Sequence, residues 1–261
     1  MKTKRIIMII AIILVIVLIG LVGYTIYQKA TFTKQNPVAT MEIEGIGTMK
    51  IELYPDQAPN TVANFITLAN RGFYDGLTFH RIVKDFMVQG GDKDGTGSGA
   101  PTLSAIKDDG STTETYAIKG EFVQNGFNKN TLRHEKGVIS MARSDYSQMG
   151  LYEEGYNSAG SQFFIMTGDN ASLNGYYAAF GKVIEGMDVL DKLNETEVTT
   201  SENSSDSEAS TPVNPPVIKS VRVDTFGVDY GGPETVTPFD YNSYIQQLYS
   251  CLLYTSPSPR D

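Results

Sequence analysis

From Val38 to Phe226 the sequence is cut into short apolar runs separated by glycine-rich turns, and few of the runs are long enough to make a helix. Two open this region, Val38–Glu44 and Thr48–Tyr54, with Gly45 and Gly47 between them as in a hairpin. Six more follow: Leu77–Val83, Phe86–Gln89, Gly137–Arg143, Gln162–Thr167, Ala178–Val183 and Val217–Phe226. Helical spacing occurs twice. In APNTVANFITLANRG, Val62, Phe65, Ile66 and Ala69 fall at i, i+3, i+4 and i+7. Pro59 suits the first turn of that helix and Gly72 its C-terminal cap. Glu185–Leu193 is a second, shorter helical stretch. Many short strands with two helices predict a mainly β fold, an antiparallel barrel or sandwich. No internal repeat is present.

The chain has 261 residues, enough for one good-sized domain with appendages. Ile6 to Gly23 is an unbroken apolar run of 18 residues, preceded by Lys2, Lys4 and Arg5. That length reads as a transmembrane anchor with a cytoplasmic N-terminus, occupying residues 1–27. Gln28 and Ala30 make a poor cleavage site. A long cleaved signal would equally leave the remainder exported. Residues 28–37 read as a polar tether, 38–228 as the folded domain and 229–250 as a C-terminal tail. The last stretch, CLLYTSPSPRD at 251–261, looks like a sequencing-adapter read-through translated in frame and is set aside from fold reasoning. It carries the chain's one cysteine, Cys251, so the rest needs no disulfide chemistry outside the cell.

Composition removes several function classes. A net charge of −9 argues against binding nucleic acid, which needs clustered Lys and Arg. With two histidines, His80 and His134, and one cysteine, no metal site of the usual Cys/His kind is expected. No cofactor is indicated. GTGSGAP, Gly95–Pro101, lacks the third glycine of a dinucleotide fingerprint. Gly175–Val183 has one residue too many for a phosphate loop, and Val183 stands where Ser or Thr is required. DKDGTG, Asp92–Gly97, starts like a calcium loop, but Leu103 falls where the bidentate glutamate belongs. All three read as plain turns. No G-x-S-x-G is present. His80 and His134 read as structural residues, His80 as a hydrogen-bonding one and His134 as structural or solvated.

The stretch FHRIVKDFMVQGGD, Phe79–Asp92, places an arginine among apolar side chains. On simple strand alternation Leu77, Phe79, Arg81 and Val83 share one face. In the following run Met87 and Gln89 share one face, with Phe86 and Val88 on the other. Such an arginine either snorkels to water or is a placed functional group. What remains after the exclusions is one cation, polar amides and exposed apolar side chains.

That stretch resembles the signature of the cyclophilin family of peptidyl-prolyl cis-trans isomerases. So do GVISMAR (Gly137–Arg143), NSAGSQFFI (Asn157–Ile165) and LNGYYAAFGKVIEGMDVLDKL (Leu173–Leu193). The resemblance runs from about Val38 to Gly227, with four motifs in order. It implies an eight-stranded antiparallel barrel capped by two α-helices. It implies Arg81 as the catalytic arginine and Phe86, Met87, Phe164 and Leu173 as walls of the proline pocket. Gln89 then bonds substrate backbone and helps hold the arginine, and Ala142 and Gln162 contact residues preceding the proline. Two positions depart from the best-known pattern. Ser172 replaces a tryptophan that helps bind cyclosporin, so weak or no binding of that drug is expected. Tyr177 replaces a pocket histidine, and can still pack and hydrogen-bond.

The expected function is isomerisation of X–Pro bonds in exported, proline-containing polypeptides. The alternative is a cyclophilin-like binding module or holdase whose catalysis is incidental. Three segments read as loops: Asp92–Thr115, Ser144–Ala159 and the acidic Glu195–Ser210, the last a solvated excursion. Two of them look longer than in compact relatives, at Ala100–Glu114 and Ser144–Tyr156, and are expected to shape access to the groove.

Overall fold

The computed structural model describes residues 8–9, 13–24, 35–108, 112–200 and 209–255. The chain divides into two units, 1–35 and 36–261. In the first, residues 8–9 and 13–24 are helical, while 6–7 and 10–12 of the apolar run lie outside the described residues. Among the described residues no helix is long and apolar enough to cross a membrane. The rest of the expected anchor, residues 1–7, 10–12 and 25–27, lies outside the described residues.

Among the described residues the second unit has ten strands: β1 (Val38–Ile43), β2 (Gly47–Leu53), β3 (Phe79–Val83), β4 (Met87–Gly90), β5 (Val138–Met141), β6 (Phe163–Met166), β7 (Ala179–Glu185), β8 (Val198–Thr199), β9 (Thr211–Pro212) and β10 (Ile218–Asp224). Eight form one sheet in the order β10-β1-β2-β7-β5-β6-β4-β3, every pair antiparallel. The sheet curls until its edges approach at a single bridge, Thr78 with Val217, supported by Phe79 N–H donating to Pro216 O at 2.9 Å. It is a curled half-barrel, closed only at that corner. β8 and β9 make a separate two-stranded ribbon at the base of the acidic excursion. Residues 201–208 of that excursion lie outside the described residues.

The main core lies inside the curl. Phe65, Tyr74, Phe163 and Phe180 are fully buried and meet at ring separations of 5.2–5.8 Å. Phe65 comes from the helix Pro59–Asn70, whose apolar stripe is the one expected from its spacing. Its N-cap is Ala58, which offers no side-chain acceptor. The buried Glu121 supplies one from 60 residues away. Its carboxylate accepts from Asn60 N–H (3.0 Å), Thr61 N–H (2.8 Å) and Thr61 Oγ1 (2.7 Å). Negative charge at a helix N-terminus also complements the helix dipole. The second helix is Met187–Asn194, close to the expected span.

The stretch 229–250, expected as a C-terminal tail, contacts the folded domain. Val236 and Ala117 exchange backbone hydrogen bonds of 2.8 and 3.0 Å, and Asn60 bonds both ways with the backbone of Glu234. A helix follows, Tyr241–Thr255, which runs through Cys251. The Ser144–Ala159 loop is also structured, holding a 3-10 turn at Ser147–Met149 and a short helix at Tyr152–Tyr156.

Candidate active site

A second, smaller apolar cluster lies apart from the main core. Met87, Val138, Phe164, Met166 and Ala179 form its floor, with Phe86, Ala142, Leu173 and Tyr177 packed on it. The antiparallel pairing of β4 with β6 sets Gln89 opposite Phe164. On this floor sits a cavity of about 210 Å³ lined by Arg81, Phe86, Met87, Gln89, Ala142, Arg143, Phe164, Leu173 and Tyr177. Eight of the nine residues singled out from sequence are on that wall. The ninth, Gln162, lines the adjacent cavity of about 300 Å³ together with Gln89, Ala142 and Arg143.

Arg81 reaches this site because β3 is not a regular strand. Phe79 pairs with Gly90 and Arg81 with Gln89, so two residues of β3 face one step of β4. This bulge at His80 leaves Phe79 in the main core with Ile82, while Arg81 and Val83 turn to the pocket. Strand alternation had put Phe79 and Arg81 on one face, and the bulge separates them. Phe86 likewise lies in the turn before β4 and packs with Met87 rather than opposite it. That turn is strained and braced. Asp85 has φ 57, which Asp tolerates better than most residues. It exchanges two hydrogen bonds with the Asn194 side chain, at 2.9 and 3.0 Å.

The arginine is held by a directed chain of amides. Gln162 Nε2 donates to the carbonyls of Gly97 (3.1 Å) and Gly99 (3.0 Å), so its Oε1 must accept. It accepts from Gln89 Nε2 at 3.0 Å, leaving Gln89 Oε1 to accept from Arg81 Nη1 at 3.3 Å. Arg81 Nη1 also lies 3.6 Å from Met87 Sδ. The loop that starts this chain is wound around Asp92. Its carboxylate accepts from the N–H groups of Asp94, Thr96, Gly97 and Gly99 at 2.6–3.3 Å. Burial alone would push Asp92 up. The backbone amides, with His80 nearby, outweigh that and hold it below the usual carboxylate range. DKDGTG is thus a turn, its first carboxylate saturated by backbone.

The two histidines differ. His134 is buried behind the pocket, stacked on Phe164 at 5.9 Å and edge-on to Tyr177 at 6.3 Å. Its ring nitrogens pair with Ser140 Oγ (3.1 Å) and Asn174 Oδ1 (3.2 Å). Burial pushes its pKa down, with Asn174 working against the shift. It is structural, as expected, and not solvated. His80 does not make the hydrogen bonds expected of it: both ring nitrogens are buried without a partner among the described residues. Burial lowers its pKa, Asp92 opposes this, and Arg81 adds to it.

Three site residues escaped the sequence reading. Arg143 lies on both cavity walls, and Tyr146 and Phe239 line the larger one. Tyr146 packs on Phe239 at 5.5 Å and on Tyr241 at 5.7 Å. The aromatic content of the insertion was visible, but its partner lay in a segment read as a tail. Among the described residues that line the smaller cavity there is no Ser, Thr, Cys, His or carboxylate. The arrangement offers a fixed cation beside an apolar recess.

Residues 38–223 match the family described as cyclophilin type peptidyl-prolyl cis-trans isomerase/CLD. The chain is 39% identical over 156 residues to peptidyl-prolyl cis-trans isomerase B of Bacillus subtilis, covering 60% of this chain and 90% of that protein. It is 37% identical over 157 residues to a peptidyl-prolyl cis-trans isomerase of Helicobacter pylori, covering 59% and 79%. The crystal structure of a Cryptosporidium parvum cyclophilin-type isomerase, solved in the presence of the dipeptide Ala-Pro, superposes with a TM-score of 0.55. It shares 27% identity and covers 72% of this chain and 98% of that one. The chain therefore belongs to the cyclophilin-type peptidyl-prolyl cis-trans isomerases.

Proposed function

We propose that Arg81 drives isomerisation by weakening prolyl amide resonance, with the proline ring seated on Phe86, Met87, Phe164, Leu173 and Tyr177. The observation that carries this is the placement of a guanidinium, tethered by Gln89, on the rim of the apolar recess. A peptide C–N bond resists rotation by about 18–20 kcal/mol because it is partly double. Rotation needs no covalent chemistry. It needs donors that favour a twisted, less conjugated amide over the planar one. Arginine stays charged in a partly dry site, and its flat fork is directional. Gln89, Gln162 and Ala142 line the path of the residues before the proline.

The client is a proline-containing polypeptide outside the cytoplasm, and the protein is a foldase held at the membrane by the apolar run 6–23. Two features support this. The described side chains from Ile13 to Leu21 are exposed and nearly all apolar. The folded unit has no cysteine before Cys251. Ser172 is exposed beside the pocket and bonded to Asn170, so no large ring stands there to grip cyclosporin.

A protease-coupled assay on an X–Pro peptide tests the chemistry. Arg81→Ala is expected to fall to near the uncatalysed rate with peptide binding retained. Equal rates for the two proteins refute the role of Arg81 and favour a binding module. Carbonate extraction of membranes tests the anchor, and release of the intact chain into the soluble fraction refutes it.

A further inference from the structure

We infer that Arg143 makes this isomerase select clients with an acidic side chain one or two residues before the proline. The inference rests on the pocket assignment above and adds a specificity that the assignment does not contain.

Arg143 directly follows Ala142 at the end of β5 and is the one charged side chain shared by the proline cavity and its neighbour. A chain that seats its proline in the first and runs over Ala142 and Gln162 passes it. The guanidinium is already fixed. Its carbon lies 4.5 Å from the Tyr177 ring centre, 5.0 Å from Tyr156 and 5.7 Å from Phe122. Nε donates to Tyr176 O at 3.0 Å and Nη1 to Ser144 O at 3.0 Å. Little conformational freedom remains to be lost when a ligand arrives.

Its charge is only partly answered, by the nearby Asp145. Carbonyls and ring faces orient a guanidinium without neutralising it. Arg222 is paired with Asp75 and Arg71 with Asp108, but no carboxylate lies within ion-pair distance of Arg143 among the described residues. Asp145 feels the Arg143 charge, but its carboxylate is engaged first by Ser147 N–H at 2.9 Å. Arginine has five N–H donors, and the two bonds above leave the others for a ligand. In a chain of net charge −9, a cation at the groove that Asp145 offsets only in part attracts what most of the surface repels. The adjoining cavity of about 300 Å³ has room for a carboxylate side chain.

The test uses peptides Ala-Xaa-Pro-Phe with Xaa as Glu, Ala or Lys, and a second set varied one position earlier. A partly exposed, charge-assisted contact predicts kcat/KM about five-fold higher for Glu than Ala in one of the sets, and lower for Lys, shrinking with added salt. Arg143→Gln brings the Glu/Ala ratio to about one, while Arg143→Lys keeps its sign. A ratio near one in the wild type, or a fall shared equally by all peptides in Arg143→Gln, overturns the inference. The latter would mark Arg143 as a mere support for Tyr177. Anisotropy of fluorescein-labelled Glu-Pro and Ala-Pro peptides reads the same preference on Arg81→Ala. Equal affinities there refute the selectivity, whatever becomes of the arginine mechanism.

Discussion

Gln162 bonds to Gln89, which bonds to Arg81, so its loss should cost about as much as losing Gln89. Both Nε2 hydrogens of Gln162 are fixed by the carbonyls of Gly97 and Gly99, and this forces the orientation of both amides. Replace Gln162 by Leu and Gln89 is free to turn its NH2 group toward Arg81. The lost contact is a hydrogen bond to a charged donor, and its 3.3 Å length puts it at the weak end of that class, ~1.5 kcal/mol. At about 1.36 kcal/mol per decade, that is roughly a ten-fold fall in kcat/KM. Gln89→Leu removes the same acceptor directly and should cost the same. Because the two act in series, the double variant should also fall about ten-fold rather than a hundred-fold. The protease-coupled assay on one peptide with four proteins decides this, with urea midpoints checking that all four are folded. A double variant that falls by the product of the single effects refutes the relay, as does a Gln162→Leu protein with wild-type kcat/KM.

Three further outcomes follow from the same contacts. Glu121→Ala strips three hydrogen bonds from the start of helix Pro59–Asn70 and should destabilise the fold by about 3 kcal/mol in urea denaturation, with a loss under about 1 kcal/mol contradicting the capping role. His80 is pushed below its ordinary 6.5 when folded, so its contribution is intact above pH 6.5 and is lost as the pH drops through the folded value. Stability should therefore fall between pH 7 and pH 5. His80→Phe should make that fall shallower, and an unchanged slope counts against burial as the cause. A Cβ on Gly168 would come within contact of Asp85 O, so Gly168→Ala should cost ~1–3 kcal/mol and raise KM by shifting the turn that carries Phe86; unaltered thermal melting and KM would show that the turn gives way freely.

The sequence revealed the sheet well, because each strand is a short apolar run bounded by turn residues whose signal is local. The pocket floor was legible through its motifs, and all nine residues lie on the two joined cavities. What stayed hidden depended on geometry without a local mark. The bulge at His80 is a two-against-one pairing that no periodicity within β3 encodes, and it decides where Phe79 and Arg81 point. Arg143 gave no sign either, since its three aromatic partners lie 13–34 residues away on other segments. Residues 231–240 read as tail because they carry no apolar run. They are held instead by one backbone bridge and by Asn60. The helix Tyr241–Thr255 had apolar residues, but its sequence straddles the foreign-looking end.

The Val236–Ala117 bridge bears on how this enzyme is handled. The family match ends at Val223, and a shortened protein cut near there would be the obvious one to produce. It would retain Arg81 and the proline recess whole. It would also discard Pro238 and Phe239, which close the neighbouring cavity. Peptide turnover measured on such a fragment would look normal for short substrates and misreport the choice among long ones, because two residues that line the selecting cavity would have been removed with those that look most dispensable.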